Sequence, residues 1–183
     1  MEKTFPTIET PRLKLRQPCT DDVRPLLRMM QDQAVLRYFG VEPFKSERES
    51  LAQVAWYNRT FAESKGVWWI ISEKDAGAYI GDVGFFKCEK RHARAEVGYK
   101  LSPAFWRRGI VTEALTQVVD YGFVEMGLNR IEALVDPRNT ASLRVLEKLH
   151  FGAEGIMREY EIENGAPVDL AMLSLLKREW PAL

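Results

Sequence analysis

The sequence predicts an α+β fold in a single domain spanning residues 1–183, with a mixed, mostly antiparallel sheet of about seven strands flanked by four helices. Three observations carry this expectation. Strand-like runs at residues 67–73, 79–87 and 94–101 follow one another through polar connections of hairpin length, which makes an antiparallel meander. Val111, Ala114, Leu115, Val118, Val119, Gly122, Phe123 and Met126 then recur at the spacing of one buried helical face. Beyond that helix, runs at 154–163 and 169–177 are joined through Asn164-Gly165, a dipeptide suited to a hairpin turn.

The other elements follow in chain order. Arg12-Leu13-Lys14-Leu15-Arg16 alternates after Pro11 and reads as the first strand. Thr20-Asp21-Asp22 offers an N-cap and an acidic first turn to a helix through Val23, Leu26, Leu27 and Met30. A loop with Tyr38, Phe39, Gly40, Pro43 and Phe44 leads to Ser46-Glu47-Arg48-Glu49, a capping box opening a second helix that Gly66 ends. Gly127 suits a left-handed cap on the long third helix. Ile131, Ala133 and Val135 alternate in a strand at 130–135. Asp136-Pro137-Arg138-Asn139 then makes a turn, and Asn139 caps a short helix through Leu143, Leu146 and Leu149. No internal repeat, low-complexity segment or linker interrupts the chain.

Composition narrows the function classes. Lysine plus arginine and aspartate plus glutamate number 26 each, so no global field attracts nucleic acid or a membrane, and any anion site must be local. Cys19 and Cys88 form no metal-type spacing and read as free thiols of a reducing cytoplasm; no metal is expected. The N-terminus lacks an apolar signal core and no apolar run is long enough to span a bilayer, so a soluble cytoplasmic protein is expected.

The candidate anion site lies between the run at 95–101 and the long helix. After a Ser102-Pro103 break comes Trp106-Arg107-Arg108-Gly109, a short turn with two arginines and a glycine. A strand, a tight turn and a helix start aim several unpaired backbone N–H groups at one point, and the helix dipole adds partial positive charge there. That is the physics of a pyrophosphate site. A basic loop before an ordinary amphipathic helix is the alternative reading.

With these residues in place, the chain resembles the GNAT acyltransferase superfamily over essentially its whole length. The resemblance is carried by Ala95-Glu96-Val97-Gly98-Tyr99 with Leu101, by Trp106-Arg107-Arg108-Gly109-Ile110-Val111-Thr112-Glu113-Ala114, and by Asn139-Thr140-Ala141-Ser142. Within the superfamily it is most similar to the ribosomal-protein (alanine) N-terminal acetyltransferase branch, on Thr10-Pro11-Arg12-Leu13-Lys14-Leu15-Arg16, the Glu-Val-Gly-Tyr strand and the Asn-x-x-Ser turn. The resemblance implies acetyl-CoA as co-substrate, lying between the strands at 94–101 and 130–135, the fourth and fifth, splayed apart. It implies a bulge that Gly98 would mark, contacts to the cofactor from Val97, Gly98, Tyr99, Leu101, Asn139 and Ser142, and a pyrophosphate held between Arg107, Arg108, Gly109, Ile110, Val111 and Thr112. Trp106 and Val111 depart from the family, which usually has Gln or Arg and Gly or Ala there. His150 stands where a helix-ending glycine is usual and reads as a left-handed cap.

Acetyl transfer to an amine needs a neutral amine, a stabilised oxyanion and a leaving thiolate. Backbone N–H groups near Val97 to Tyr99 are the oxyanion candidates. The resemblance places Ser142 near the sulfur; the residue also reads as a polar helix start. A tyrosine one turn further does this job in related enzymes, and Leu146 occupies that position here. Glu96 and Glu161 are the candidate bases, though each also reads as an ordinary strand residue. An α-amine has a pKa of about 7.7 to 8.0, whereas a lysine at about 10.4 costs roughly 3 kcal/mol to deprotonate near neutral pH. The lack of an unmistakable base therefore fits a protein N-terminus or another low-pKa amine better than a lysine side chain, and an ordered water can relay the proton. Tyr38, Phe39 and Phe44 are expected to line the entrance, with Tyr160 and Asn164 opposite. Trp68 and Trp69 must point to opposite faces of their strand, one into the core and the other toward the cleft or a partner subunit. A homodimer is common in similar proteins. An antibiotic or metabolite amine, or a non-catalytic acyl-CoA-binding role, are the rival readings.

Overall fold

The computed structural model describes residues 4–163 and 165–181; the Asn164 half of the hairpin turn, and Asn164 as an entrance residue, lie outside them. The chain runs β1 (Ile8–Glu9), β2 (Leu13–Arg16), α1 (Val23–Met29), α2 (Gln33–Leu36), α3 (Glu47–Ala62), β3 (Val67–Glu73), β4 (Tyr79–Glu89) and β5 (Arg94–Leu101). It continues with α4 (Ile110–Val124), β6 (Arg130–Val135), α5 (Thr140–Lys148), β7 (Gly152–Glu163) and β8 (Ala166–Leu176). The strands form one sheet in the order β1-β2-β3-β4-β5-β6-β8-β7. All neighbours are antiparallel except β5 and β6, which are parallel.

The α+β class and the mixed sheet stand as expected, with eight strands and five α-helices among the described residues in place of about seven and four. The two additions are too short to carry a period. β1 has two residues, and α2 is a single turn whose amides at Ala34 and Val35 donate to the Asp32 carboxylate. The first helix also starts later than its sequence suggests. Asp22 is buried and receives Arg16 Nη1 and Nη2 at 2.9 and 2.6 Å, so it locks β2 to the turn in place of an exposed first-turn acid.

The two faces of the sheet have different covers. Trp69, Phe85 and Val97 pack with Leu115, Val119 and Leu146, so α4 and α5 lie over the main core. On the opposite face Val23, Leu26 and Met30 of α1 and its end join Val54 of α3 in a smaller cluster, against which Phe44 is packed. Trp68 and Trp69 do point to opposite faces, yet both are buried: Trp69 donates Nε1 to the Pro6 carbonyl, and Trp68 stacks on Tyr57 of α3 and on Phe86.

One break in the sheet positions everything that follows. β5 and β6 pair only through Arg94, Ala95 and Glu96 with Arg130, Ile131 and Glu132, then part. Beyond Glu96, the β6-side edge of β5 has no strand partner among the described residues. The splay arises without a bulge at Gly98, which keeps regular register opposite Gly84. Gly98 is glycine because a Cβ there would sit 3.1 Å from the Trp68 ring and 3.2 Å from that of Phe86. The bulge lies on β4, where Lys87 and Cys88 together oppose Ala95, with Lys87 at φ 49°.

Candidate active site at the strand splay

The turn before α4 is open and strained. Trp106, Arg107, Arg108 and Gly109 are exposed, and Arg107 (φ 60°) and Gly109 (φ 73°) are both left-handed. A left-handed arginine costs roughly 1–2 kcal/mol, and such strain concentrates at functional sites. The first main-chain bond of α4 runs from the Glu113 amide to the Gly109 carbonyl (3.0 Å), and no side chain caps the helix. The amides of Ile110, Val111 and Thr112 are therefore left as free donors at the positive end of the dipole. These residues fit a pyrophosphate: unpaired N–H groups, two adjacent guanidiniums and no blocking side chain.

The two departures from the family turn acquire local reasons. Trp106 donates its indole N–H to the Leu101 carbonyl at 2.8 Å, tying the turn to the end of β5. Val111 packs its side chain against the main core, away from the exposed turn, and Ile110 is buried there as well. Leu101 and Val97 likewise turn their side chains into that core. His150 is left-handed (φ 64°), as a helix-ending residue at this place must be.

The opposite wall of the splay is the start of α5. Asn139 Oδ1 accepts from the Ser142 amide (3.1 Å), which fixes the first turn. Ser142 Oγ is 2.6 Å from the Tyr99 hydroxyl, which also lies 3.3 Å from the Ser142 carbonyl. This bond spans the gap between β5 and α5. Burial pushes the Tyr99 hydroxyl up to about 12, against the lowering effect of Ser142, so it stays protonated at neutral pH. Sequence reasoning gave Tyr99 a backbone role only; the signal for its side chain was the missing tyrosine at Leu146, for which a residue from another strand could stand in.

On the α3 side of the sheet a cleft of about 740 Å³ opens beside the paired part of β5 and β6, lined by Trp56, Phe86, Lys87, Glu96, Glu132 and Tyr160 among others. Glu96 accepts from Lys87 Nζ at 2.8 Å. Burial raises the Glu96 carboxyl, Lys87 opposes that, and the negative charges of Glu161 and Glu132 raise it further. Glu161 itself is exposed on β7. Bulges aim both walls: Lys87 sits in that of β4, and residues 158–160 of β7 face the single Asp169, which brings Tyr160 into the lining. Neither bulge leaves a mark in the sequence, and Lys87 was missed for that reason.

The entrance residues are only partly brought together. Phe39 is exposed and lies 5.9 Å from Lys100 Nζ; Tyr38 stacks near Arg37 and Arg138, at 5.2 and 6.0 Å. Phe44 belongs to the smaller apolar cluster and is not grouped with them. The loop does meet the β7 hairpin, because Gly40 (φ 63°) leaves no room for a Cβ beside the Glu163 side chain. Beneath this loop lies a buried network. Lys100 Nζ donates to Asp82 Oδ1 (2.7 Å) and the Tyr57 hydroxyl (2.8 Å), and the Tyr79 hydroxyl donates to Asp82 Oδ2 (2.6 Å). Asp82 holds Lys100 charged despite burial, and the tyrosines are pushed up. The clue was two opposite charges in the middle of adjacent strands, which the register places directly opposite each other.

The match to known proteins agrees with this geometry. Residues 12–152 match the acetyltransferase (GNAT) domain family. The chain is 37% identical over 173 residues to the uncharacterized N-acetyltransferase YoaA of Bacillus subtilis (strain 168), covering 94% of this chain and 98% of that protein. It is 28% identical to spermidine N(1)-acetyltransferase of Escherichia coli (strain K12), over 82% of this chain and 78% of the other. The solved structure of RimL, described as a ribosomal L7/L12 alpha-N-protein acetyltransferase in complex with coenzyme A, superposes with a TM-score of 0.85 at 22% identity, covering 93% of this chain and 98% of that one, a likeness of fold. An open helix start for a pyrophosphate, a splayed pair of strands and a family match across most of the sequence lead to one conclusion: the chain belongs to the GNAT family and is an acetyl-CoA-dependent N-acetyltransferase.

Proposed function

We propose that the acceptor is an α-amine on an apolar body, as at a protein N-terminus, and that it attacks acetyl-CoA directly in a ternary complex. The observation that carries this reading is the balance of the cleft. Lys65, Lys87 and Arg94 line it against Glu89, Glu96 and Glu132, with Trp56, Phe86, Leu134, Tyr160 and Met172 between them. A polycation would find no surplus of carboxylates over cations there, whereas a single ammonium beside an apolar side chain would find Glu96 and several aromatic faces. Similarity to spermidine N(1)-acetyltransferase favours a polyamine as the second reading.

The roles follow from placement. Arg107 to Thr112 hold the pyrophosphate on main-chain amides. The unpaired edge of β5 from Val97 to Tyr99 supplies donors for the pantetheine arm and the thioester oxygen. Glu96, its carboxyl raised by burial, accepts the ammonium proton, with exposed Glu161 nearby as a second carboxylate. An α-amine with a pKa of about 7.7 to 8.0 needs only this modest help. The Tyr99 hydroxyl and Ser142 Oγ lie 2.6 Å apart; with Tyr99 as the donor of that bond, the Ser142 proton is free to hydrogen-bond the leaving sulfur. With Tyr99 held up at about 12, the pair acts by hydrogen bonding and no phenolate forms. A thiol leaving group has a reference pKa of about 8.5, so its departure requires no full proton transfer.

The test is a competition. Peptides with a free α-amine and no lysine, the same peptides blocked at the N-terminus, and spermidine are each incubated with isotopically heavy acetyl-CoA, and mass spectrometry reads the label. Label on free N-termini in preference to spermidine supports the proposal. Label on spermidine with none on any peptide overturns it. CoA binding without turnover on any amine would overturn the catalytic roles as well.

A further inference from the structure

The pyrophosphate turn contains a contradiction that its own residues do not resolve. Glu113 lies in the first turn of α4, where a carboxylate would repel the phosphates that the amides invite. The answer comes from a hundred residues earlier in the chain. Arg12 Nε and Nη2 both contact Glu113 Oε2 at 2.6 Å, the Arg12 amide donates to Oε1 at 3.2 Å, and Thr10 Oγ1 donates to Oε1 at 2.5 Å. Burial pushes the Glu113 carboxyl up, but these hydrogen bonds outweigh it and hold the group below the usual range. The remaining arm of the guanidinium, Nη1, donates to the Arg108 carbonyl at 3.0 Å.

That last bond also orients the turn. In a trans peptide the carbonyl and the following N–H point in opposite directions. Drawing the Arg108 carbonyl toward Arg12 therefore turns the Gly109 N–H away from β2. A methyl group on Gly109 would lie 3.6 Å from Arg12 Nη2, so the guanidinium stands beside the turn without filling it. Arg108 is held from the same side, 3.8 Å from Glu73 at the end of β3 and 5.1 Å over the Phe105 ring.

We propose that Arg12 is a positioning residue for the cofactor: it neutralises Glu113 and fixes the Arg108–Gly109 peptide so that the start of α4 presents donors and no net negative charge to the pyrophosphate. This inference rests on the assignment of the pyrophosphate to that turn. Arg12 acts through Glu113 and Arg108, since its Nε, Nη1 and Nη2 are all engaged by them.

Binding of coenzyme A and of pantetheine, which lacks the pyrophosphate, tests it by calorimetry and competition in the full chain, Arg12→Ala, Glu113→Gln and the double variant. Arg12→Ala is expected to weaken coenzyme A about tenfold and pantetheine by less than about twofold, with the double variant recovering at least about threefold of the loss. Equal weakening of both ligands would reduce Arg12 to a general structural tie and overturn the proposal. So would unchanged coenzyme A affinity in Arg12→Ala, or no recovery in the double variant, which would mean that the Glu113 charge is not what Arg12 offsets. If the unaltered protein binds both ligands equally, the pyrophosphate assignment fails, and that outcome is distinct from all of these.

Discussion

The two ends of the proposed active-site groove are built on opposite principles. At the start of α4 the groups proposed to bind are main-chain amides, and the side chains leave that corner open: Trp106 is tied to Leu101, Val111 is turned into the core and Glu113 is clamped by Arg12. In the proposed acceptor cleft the groups are side chains drawn from α3, β4, β5, β6, β7 and β8, and two bulges aim them. A main-chain site depends on a local turn and tolerates side-chain change. A side-chain site can change its acceptor by moving a bulge while the fold stays the same.

That contrast can be broken in several places, beginning with the largest expected effect. Lys100→Met leaves the buried Asp82 without its counter-charge beneath the entrance loop and should cost about 3–5 kcal/mol of stability by urea unfolding. The double change with Asp82→Asn should cost less than Lys100→Met alone; a single change costing under about 1 kcal/mol would show that the network is not what holds α3 down. Gly109→Asp sets an anion against the pyrophosphate. Two like charges about 4 Å apart at an effective dielectric of about 20 repel by about 4 kcal/mol, so the KM for acetyl-CoA should rise at least about a hundredfold. Equal kinetics would detach the turn from the cofactor.

Smaller effects sharpen the cleft. Ser142→Ala should lower kcat about tenfold with little change in acceptor KM, and Tyr99→Phe should lower it about threefold, each the size of a lost hydrogen bond. A loss confined to KM would move Ser142 away from the sulfur. Lys87→Met removes the charge that lowers Glu96, leaving burial, Glu161 and Glu132 to raise it. The acid limb of the kcat/KM profile should therefore move to higher pH. By linkage, a carboxyl raised in the folded state contributes stability below its unfolded pKa and loses it as pH rises through the folded value. The variant should accordingly lose more stability than its parent on going from acid to neutral pH. An acid limb that stays in place would remove Glu96 as the base.

How far each region could be read in the sequence follows from the same contrast. The turn and the helix behind it are contiguous, so Trp106 to Thr112 and the period from Val111 to Met126 were legible. Asn139 capping Ser142 was legible for the same reason. The cleft was legible only in part. Glu96 and Tyr160 were named, whereas Lys87 reaches it through a bulge, which follows from how two strands pair and leaves no trace in either one. Gly98 was misread as a bulge because only the Trp68 and Phe86 rings, from two other strands, explain it. Phe44 was assigned to the entrance from its loop alone, whereas its packing partners lie in α1 and α3. β1 and α2 escaped because two and four residues hold no period.

The central claim is that main-chain N–H groups at the start of α4 receive the pyrophosphate. The direct measurement is the amide spectrum of the labelled protein during titration with coenzyme A and, separately, pantetheine. The account predicts the largest shifts at Arg108 to Thr112 with coenzyme A and none there with pantetheine. Shifts confined to other elements, with those amides unmoved at saturation, would contradict it.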